Sequence, residues 1–479
     1  MTATITGPDV TAGSDVTALA LAPKNPLPYW RRLTAARQFD SGLELLRESG
    51  GSVTRNVLGP KWVMPPLVFV SSPQGAHDVL ARTDAFAERA ATPIALELRR
   101  LVGDNLLVIP HRESLPRRRA LQPIFTKHHV PQFAGHMAEV AEQLADRWAL
   151  GAAVDLDAEC RALTLRALGH SILATDLAER TQVVGAALRT GGKWAADRAL
   201  RPVNLPRWWP TRGQRRARAS SAALHALAAE ILSACRADPT RDAPLVRALM
   251  QTTDPQTGQP LSDRPICDEL VLFLLAGHDT TSTALTYALW ALGHRPELQQ
   301  RVAAEADARG DRRLTHEDMP RLRYTVQVLR EALRLCPPAP AVGRTVMADI
   351  EVDGYRVAAG TCAIVAIYAI HRDPALWEDP LRFDPDRFSP ERSKGRDRWQ
   401  YLPFGGGPRA CIGDHFAMLE ATLALATIVR RAKILSLSGD FPTITPLTMI
   451  AAAPIRARVG QRVDRLNRRF LRDVYCCDS

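Results

Sequence analysis

The sequence predicts a single, mostly α-helical domain with a minor β-region. Helical periodicity extends over most of 114–237 and again over 264–335, whereas short strand-like runs are confined to 53–71 and 350–368. A chain of 479 residues with 46% hydrophobic content can bury a large core. Its length allows two or three domains, but the order of the motifs described below predicts one, over 28–465.

The N-terminal part of the chain is predicted as a leader followed by a mixed α+β segment. Residues 1–27 are rich in Thr, Ala and Gly and contain neither a signal peptide pattern nor a run of about 20 apolar residues, so a disordered leader without a membrane anchor is expected. A helical pattern then covers 31–49, and strand-like runs follow at 53–58 and 67–71.

The rest of the chain alternates helical blocks with turn signals. Breaks are expected at Pro131, Gly151 and the prolines between 202 and 210. Strands return over 350–357, around an Asp-Gly turn signal. A Pro-, Asp- and Arg-rich meander over 371–401 shows little periodicity, which is unusual for a loop unless it wraps around something.

Charge and cysteine usage restrict the partners. The net charge is +11, but the arginine clusters at 117–119 and 212–218 lie in helical segments without a nucleic-acid reading motif, so no nucleic acid is expected. An acidic electron-transfer protein or an anionic membrane surface is the better match. The eight cysteines are scattered, which indicates a reducing cytoplasm; only Cys476 and Cys477 are adjacent, in a predicted tail over 466–479.

One cysteine lies in a glycine-rich loop directly before an apolar helical pattern. The loop reads Phe-Gly-Gly-Gly-Pro-Arg-Ala-Cys-Ile-Gly over 404–413, and a helix is predicted over 413–430. Consecutive glycines, beginning at Gly405, allow the backbone to pass close to a flat group. Cys411 would lie near the helix N-terminus, where the macrodipole favours the thiolate. Haem iron takes a single cysteine ligand, so the loop predicts a haem-thiolate site; a buried structural cysteine is the alternative.

The loop resembles the Phe-x-x-Gly-x-Arg-x-Cys-x-Gly haem loop of the cytochromes P450, and the matching residues are Phe404, Gly407, Arg409, Cys411 and Gly413. The resemblance implies the cytochrome P450 fold and haem b as the cofactor. It also implies that Cys411 is the iron ligand and that Phe404, Gly405 and Gly413 contact the cofactor.

A second motif, Ala-Gly-His-Asp-Thr-Thr over 276–281, interrupts an apolar helix. Gly277 weakens a helix by about 1 kcal/mol relative to Ala, so a close approach or a local bulge is expected there. Cleavage of the O–O bond of dioxygen consumes two protons, and an alcohol backed by an acid can deliver them. The motif resembles the oxygen-activation segment of the same family, which implies catalytic roles for Thr280 and Asp279 and a place beside haem for Ala276 and Gly277. Polar residues tolerated in a partly exposed helix are the alternative.

A third motif is structural. Glu331 and Arg334 are spaced i,i+3 on a predicted helix, which puts both charges on one face. Alone, such a pair contributes little to stability. The cytochromes P450 join this pair to the arginine of a Pro-x-Arg-Phe element, here Arg387 in the meander, and the resemblance implies a buried triad that holds the haem-side core.

Haem propionates require cations. The resemblance implies that Arg344, Arg409 and Arg118 bind them. The family places Trp or His four residues before the third of these arginines, where this sequence has Ser114. His111 or a water molecule is the candidate replacement.

The segment 205–210, Leu-Pro-Arg-Trp-Trp-Pro, falls where the family forms a lid over the substrate channel. Trp208 and Trp209, flanked by arginines, suit an interfacial surface, a channel cover or plain core packing. A lid of this kind, with small apolar residues near 339–342, favours a lipid-, steroid- or polyketide-like substrate. A peripheral membrane contact near Trp208 is the corresponding expectation for membranes.

Together the motifs imply a monooxygenase over about 28–465 that inserts one oxygen atom from O₂ into an apolar substrate. No flavin or iron–sulfur extension follows the cysteine loop, so electrons from NAD(P)H are expected through a separate ferredoxin and ferredoxin reductase. A cytoplasmic monomer is expected. Two alternatives remain open, a peroxygenase that uses H₂O₂ and a non-catalytic haem-thiolate sensor or binding protein.

Overall fold

A computed structural model describes residues 16–462, apart from 61–63, 83–85, 149–151, 202–203, 207 and 255–256. The predicted tail, with Cys476 and Cys477, therefore lies outside the described residues. Over the described part the helices are α1 (Tyr29–Ala35), α2 (Ser41–Gly50), α3 (Pro73–Leu80), α4 (Pro93–Val102), α5 (His111–Leu121), α6 (Ala134–Trp148), α7 (Leu156–Leu168), α8 (Thr181–Ala187), α9 (Lys193–Ala199), α10 (Arg212–Ala237), α11 (Pro244–Gln251), α12 (Asp263–Gly293), α13 (Pro296–Asp307), α14 (Arg323–Leu335), α15 (Ile367–Ile370), α16 (Pro390–Ser393) and α17 (Asp414–Arg431).

The strands in the same residues are β1 (Val53–Asn56), β2 (Leu67–Val70), β3 (Ala87–Glu88), β4 (Ala152–Asp155), β5 (Val342–Val346), β6 (Ile350–Val352), β7 (Tyr355–Val357), β8 (Cys362–Val365), β9 (Ala432–Ser436), β10 (Thr443–Ile444), β11 (Ile450–Ala451) and β12 (Arg456–Gln461). A five-stranded sheet has the order β1-β2-β8-β5-β3, in which only β2 and β8 run parallel. A three-stranded antiparallel sheet, β4-β12-β9, and two hairpins complete the β-structure.

Helix α12 is the centre of the core. It runs unbroken for 31 residues and packs against α7, α10, α14 and α17. Most of its side chains are buried on all sides, as expected for a helix without a single polar face. In the part of the chain that the structure describes, no helix is both long and apolar enough to cross a membrane.

Residues 16–27 correct the expectation of a disordered leader over 1–27, of which 1–15 lie outside the described residues. Asn25 is buried, and its amide donates to the Leu46 carbonyl at 3.0 Å. Leu21 and Lys24 form bridges to Arg356 and Arg55. Composition alone missed this order because the contacts are made to partners distant in sequence.

Several predicted elements occur with small changes of boundary. The pattern over 31–49 is two helices, α1 and α2, because the Asp40 carboxylate accepts from the Ser41 N–H and starts a new helix. The Asp-Gly signal makes the turn between β6 and β7, with positive φ at Asp353 and Gly354. The meander contains only short helical turns.

Candidate active site

The cysteine loop is positioned by its own backbone and by the start of α17. The Cys411 N–H donates to the Phe404 carbonyl at 2.9 Å, which closes the loop. Gly413 is the N-cap of α17, and its N–H donates to the Cys411 sulfur. Cys411 therefore lies just before a helix N-terminus, as the sequence predicts.

The thiol itself is desolvated. Burial raises the pKa of Cys411, although the Gly413 N–H and the charges of Arg118 and Arg89 act in the opposite direction. The Gly413 N–H at the helix N-terminus acts in the direction that the sequence predicts, but burial opposes it. A bound cation would favour the charged form.

The three glycines act differently from the expected cradle for a flat group. A Cβ at Gly406 would collide with the Trp399 ring, and one at Gly407 with the Leu80 carbonyl, so these two glycines allow the loop to pack against protein. Gly405 and Gly407 also have positive φ, near 70°. Only at Gly405 is the space where a Cβ would point open.

Four arginines surround the same region. Burial lowers the pKa of Arg89 well below its usual value and that of Arg344 to about 10, in each case with the charge of Arg409 as the next cause. Burial also lowers the pKa values of Arg409 and Arg118. Arg89 is a residue that sequence analysis missed, because nothing in its local sequence marks it as a cofactor contact.

Two carboxylates act on this group: the charge of Asp414 reaches Arg118, and Glu88 lies 4.0 Å from Arg409. The Glu88 oxygens already accept from the N–H groups of Ala90 and His111. Four guanidinium groups, one buried and three half-buried, face two carboxylates and therefore carry an excess of positive charge, which is costly unless an anion binds. Two propionates would supply the missing charge.

Ser114 replaces the Trp or His of the family by holding a neighbouring arginine. Its hydroxyl accepts from the Arg409 guanidinium and donates to the His111 carbonyl at 2.7 Å. A second Arg409 nitrogen donates to the Ile109 carbonyl at 2.5 Å. Ser114 thus orients one of the arginines predicted to bind propionates.

An accessible stripe runs along one face of the buried helix α12. Four residues of this helix remain accessible although the residues around them are buried. They are Leu272, Ala276 and Thr280, spaced four residues apart on one face, and Gly277 next to Ala276. The Thr280 hydroxyl donates to the Ala276 carbonyl at 2.7 Å. Because α12 lies inside the core, this stripe faces an internal cavity. Cys411 is likewise accessible despite its desolvation.

Gly277 serves a close helix approach. A Cβ there would lie 2.7 Å from the Leu168 side chain of α7. The alternative expectation of a bulge is not borne out, because α12 is continuous through this segment. The backbone carbonyls of the motif therefore stay within the helix.

Three phenylalanines fix the distance between the stripe and the cysteine loop. The Phe125 ring stacks on Phe273 of α12, with centroids 5.4 Å apart, and meets Phe416 of α17 edge-on at 6.1 Å. These contacts hold α12 and α17 at a fixed separation through Phe125. The fit to haem rests on the accessible stripe, the four arginines and Cys411, the one accessible cysteine in the part of the chain that the structure describes.

Asp279 points away from Thr280, toward α7. Its carboxylate pairs with the Arg161 guanidinium, accepts from His278 Nδ1 at 2.7 Å and lies 3.4 Å from the Thr448 hydroxyl. Burial raises its pKa, but the His278 hydrogen bond and the Arg161 charge outweigh this and lower it overall. The structure therefore does not place Asp279 as an acid directly behind Thr280.

Arg161 and His278 are further residues that sequence analysis missed. Arg161 is 118 positions from its partner, and its other nitrogen binds Asp157 at 2.8 Å. The His278 side chain is fully buried, and its Nε2 has no hydrogen-bond partner among the described residues. The one sequence signal for these residues is that His278 stands directly before Asp279 in the motif.

The structural triad has the predicted arrangement. Two Arg334 nitrogens donate to the two Glu331 oxygens at 2.7 and 2.8 Å, and Arg387 Nε lies 3.3 Å from the same carboxylate. The remaining donors bind meander carbonyls, including those of His371 and Asp379. All three charged side chains are buried, so their mutual pairing holds the meander against α14.

Comparisons with known proteins agree with this geometry. The family model for cytochrome P450 matches residues 22–459. Cyclooctatin synthase from Streptomyces melanosporofaciens is 33% identical over 409 residues, which cover 85% of this chain and 88% of the relative. Pentalenene oxygenase from Streptomyces avermitilis is 30% identical over 85% and 96% of the two chains. The crystal structure of the cytochrome P450DA heme domain matches with a TM-score of 0.80 and 27% identity, over 93% of this chain and 98% of that one. The chain therefore belongs to the cytochrome P450 family of haem-dependent monooxygenases.

Proposed function

We propose that this monooxygenase binds haem b through Cys411 and inserts one oxygen atom of O₂ into a C–H or C=C bond of an apolar substrate. The accessible stripe on α12 carries the proposal, because it offers an apolar surface with one hydroxyl inside the core. When bound, the haem supplies O₂ activation, and thiolate ligation favours O–O cleavage. Arg89, Arg118, Arg344 and Arg409 would hold the propionates.

Thr280 and Asp279 divide the handling of protons. The Thr280 hydroxyl is the polar side chain of the stripe, and rotation about its χ1 moves its proton from the Ala276 carbonyl toward the cavity. Asp279 remains a carboxylate beside Arg161, so it accepts and passes protons instead of storing one. Its contact with Thr448 points to a supply route from the loop that follows β10.

An apolar, polycyclic substrate fits the small apolar residues that the sequence predicts on the substrate side. Ala339, Ala341 and Val342 are small and half-buried, and Leu272 adds an aliphatic side chain on α12. The name of pentalenene oxygenase describes the oxygenation of a hydrocarbon by a relative of similar length. The protein's part is to hold such a molecule over the cofactor and exclude water.

Electrons are proposed to come from NAD(P)H through an acidic ferredoxin and its reductase. The surface outside the cysteine loop is basic: Arg119, Lys127 and His128 are exposed there, around a depression of about 510 Å³. Phe125, which reaches Gly413 of the loop, lies beneath this surface. A negatively charged carrier would be attracted to it and would dock close to the iron ligand. The six described cysteines are free, which supports a reducing compartment.

The central test is the reduced CO difference spectrum of the purified protein. Wild type is expected to give the Soret band of a thiolate-ligated haem, and Cys411→Ala is expected to lose it. Cys235→Ala, which removes a buried cysteine of the core, is the matched control and should keep it. A histidine-type spectrum in wild type, or an unchanged band in Cys411→Ala, would overturn the assignment of the ligand.

Turnover distinguishes the remaining alternatives. With ferredoxin, reductase and NADPH, a monooxygenase consumes O₂ and releases an oxygenated product from a polycyclic hydrocarbon. Efficient turnover with H₂O₂ alone would identify a peroxygenase. Substrate binding without O₂ consumption by the reconstituted system would identify a binding or sensor protein.

A further inference from the structure

One buried carboxylate of α12 joins three parts of the structure. Asp268 accepts from the backbone N–H of Asp104, in the loop between α4 and α5, at 2.8 Å. It also accepts from His225 Nε2 of α10 at 3.0 Å, and Arg264 Nε, one turn before it on α12, lies 2.9 Å away. Asp268 is only 4% exposed, so its charge depends on these partners. The carboxylate therefore holds both α10 and the loop against α12.

His225 has a fixed orientation on α10. Its Nδ1 lies 2.8 Å from the Ser221 carbonyl, one turn earlier on the same helix, and the ring is largely buried. The Ser221 hydroxyl in turn donates to the Leu101 carbonyl at the end of α4. Helix α10 thus contacts both the helix before the loop and the carboxylate that the loop binds.

The α4–α5 loop, residues 103–110, is shaped to fit the acidic side chains of α12. Gly103 has a φ of 71°, and a Cβ there would collide with the Asp268 carboxylate. Glu269, the next residue of α12, accepts from the Leu106 N–H at 3.2 Å and from Arg117 of α5 at 3.0 Å. Two consecutive carboxylates therefore bind the first half of the loop.

A buried asparagine ties the two halves of the α4–α5 loop together. The Asn105 side chain donates to the Val102 carbonyl at 3.0 Å and accepts from the Leu107 N–H at 3.1 Å. Its backbone carbonyl accepts from the N–H groups of Val108 and Ile109 at 3.0 and 3.1 Å. A movement at the acidic end of the loop is therefore transmitted as far as Ile109.

The second half of the loop contacts two of the arginines that are proposed to hold the haem propionates. The Leu106 carbonyl accepts from Arg89 at 3.4 Å, and the Ile109 carbonyl accepts from Arg409 at 2.5 Å. Leu106 thus binds Glu269 through its N–H and Arg89 through its carbonyl. A continuous chain of hydrogen bonds therefore links α10 to these arginines through the loop.

We propose that the α4–α5 loop couples the position of α10 to the retention of haem, with His225 and Asp268 as positioning residues. Resting on the proposed function, the coupling acts through Arg89 and Arg409, which the loop carbonyls orient. When α10 moves away from α12, a buried carboxylate loses one donor, and its remaining contacts with the loop are weakened. The coupling is reciprocal, because an anion that holds the two arginines also stabilises the loop and α10.

A second ion pair between the same helices provides a matched control. Arg236, near the end of α10, donates to Asp263 at the start of α12 at 2.8 and 2.5 Å. In the part of the chain that the structure describes, neither residue has a hydrogen bond or an ion pair with the α4–α5 loop. Loss of this pair therefore tests whether any weakening between α10 and α12 affects the cofactor.

Hydrogen exchange of the haem-loaded protein tests the link without turnover. In His225→Leu the amides of the α4–α5 loop are expected to exchange about tenfold faster, the equivalent of one hydrogen bond to a charged group. His225→Gln keeps an N–H donor near the position of Nε2 and should restore slow exchange. Arg236→Gln should match wild type in this loop. Mass spectrometry of peptides that cover 103–110 measures the rates.

Haem release tests the coupling itself. Transfer of haem to excess apomyoglobin is expected to be up to about tenfold faster for His225→Leu and unchanged for His225→Gln and Arg236→Gln. If His225→Leu does not fold, Asp268→Asn, which keeps the shape of the side chain, is expected to show the same two increases. Wild-type release from the folded variant, or an equal increase in Arg236→Gln, would overturn the proposal.

The CO spectrum separates this coupling from the proposed function. Absence of the thiolate band in wild type would overturn the proposed function. A normal band, together with wild-type haem release by His225→Leu, would leave the proposed function intact and overturn only the coupling.

Discussion

The molecule stabilises its cysteine side and its lid side by different means. On the cysteine side, which comprises the cysteine loop, the meander and α14, Arg334 and Arg387 bind meander carbonyls while sharing the Glu331 carboxylate. On the lid side, which comprises α7 to α10 and the loop 103–107, the helical path itself is irregular, with π-helical turns at Gly169–Leu173 and Leu188–Gly192. Buried charge fixes irregular backbone on the cysteine side, whereas the lid side contains irregular helices.

This difference matches the tasks that the proposed function assigns to the two sides. The iron ligand has to stay at one position relative to α12, and a buried, fully paired charge network allows no alternative packing. A cover for an apolar substrate has to accept different positions, and π-helical turns are common at such sites. We therefore expect single substitutions to be most damaging on the cysteine side.

Glu331→Gln is expected to have the largest effect, because it leaves Arg334 and Arg387 buried without a counter-charge. Loss of one partner of a buried pair typically costs about 3–5 kcal/mol of folding free energy. We expect little haem-containing protein and a much lower thermal unfolding midpoint, measured by the ratio of haem to protein absorbance and by calorimetry. Arg301→Gln breaks an exposed bidentate pair with Asp386 and should cost less than about 1 kcal/mol. Equal effects of the two variants would contradict the contrast drawn above.

The sequence was a good guide where function depends on residues close together in the chain. The fold class and the enzyme class are confirmed, and the cysteine loop, the start of α17 and the Glu331–Arg334 pair could be proposed because their geometry is local or set by helix spacing. Residues whose partners come from distant segments could not be found this way. Arg161 meets Asp279 across two helices, and Arg89 is distinguished only by the other arginines around it.

Two expectations failed for a related reason. The glycines at 406 and 407 were assigned to a cofactor cradle, but they avoid collisions with Trp399 and Leu80, which no local pattern indicates. Residues 16–27 were assigned to a disordered leader, yet Asn25 is buried against α2. In both cases tertiary contacts decide the outcome, and composition does not report them.

Asp279→Asn is expected to have the next largest effect. It tests the region of α12 between the two sides. The neutral amide cannot take up protons, so we expect turnover to fall by about 10²-fold and more O₂ to be consumed per product. Arg161 keeps its bond to Asp157, so the fold should persist. Product yield per NADPH and the haem spectrum measure the two effects. Thr448→Val removes only the 3.4 Å contact and should have a smaller effect; unchanged coupling in Asp279→Asn would exclude a role in proton transfer.

Glu269→Gln tests how the lid side is attached to α12. Glu269 is fully buried; it accepts from the Leu106 N–H at 3.2 Å and from Arg117 at 3.0 Å, next to Asp268, which accepts from the Asp104 N–H at 2.8 Å. Burial raises the pKa of Glu269 from 4.5 to about 7 despite the Arg117 charge. The folded state therefore holds this proton more tightly than the unfolded state does.

The sign of the pH effect follows from that difference. Below pH 4.5 both states are protonated and the contribution of Glu269 is complete; as the pH rises toward about 7 the unfolded state ionises first, and the free energy of unfolding falls. The total is on the order of 3 kcal/mol. The permanently neutral amide of the Glu269→Gln variant should remove this part of the pH dependence, measured as unfolding midpoints between about pH 5 and 7.5. Glu113→Gln, at an exposed position, is the control, and parallel curves for wild type and Glu269→Gln would refute the assignment.

Ser114→Ala should produce the smallest effect and returns to the cysteine side. The serine hydroxyl orients Arg409, which keeps its bond to the Ile109 carbonyl without it. Loss of one hydrogen bond to a charged group is worth about 1.5 kcal/mol, which is roughly a tenfold faster release of haem. Transfer of haem to excess apomyoglobin measures that rate. Ser171→Ala, which removes a buried hydroxyl without a hydrogen-bond partner among the described residues, should leave it unchanged. If Ser114→Ala releases haem at the wild-type rate, the remaining contacts of Arg409 are sufficient to hold it. The cysteine side would then tolerate the loss of a hydrogen bond better than its charge network alone implies.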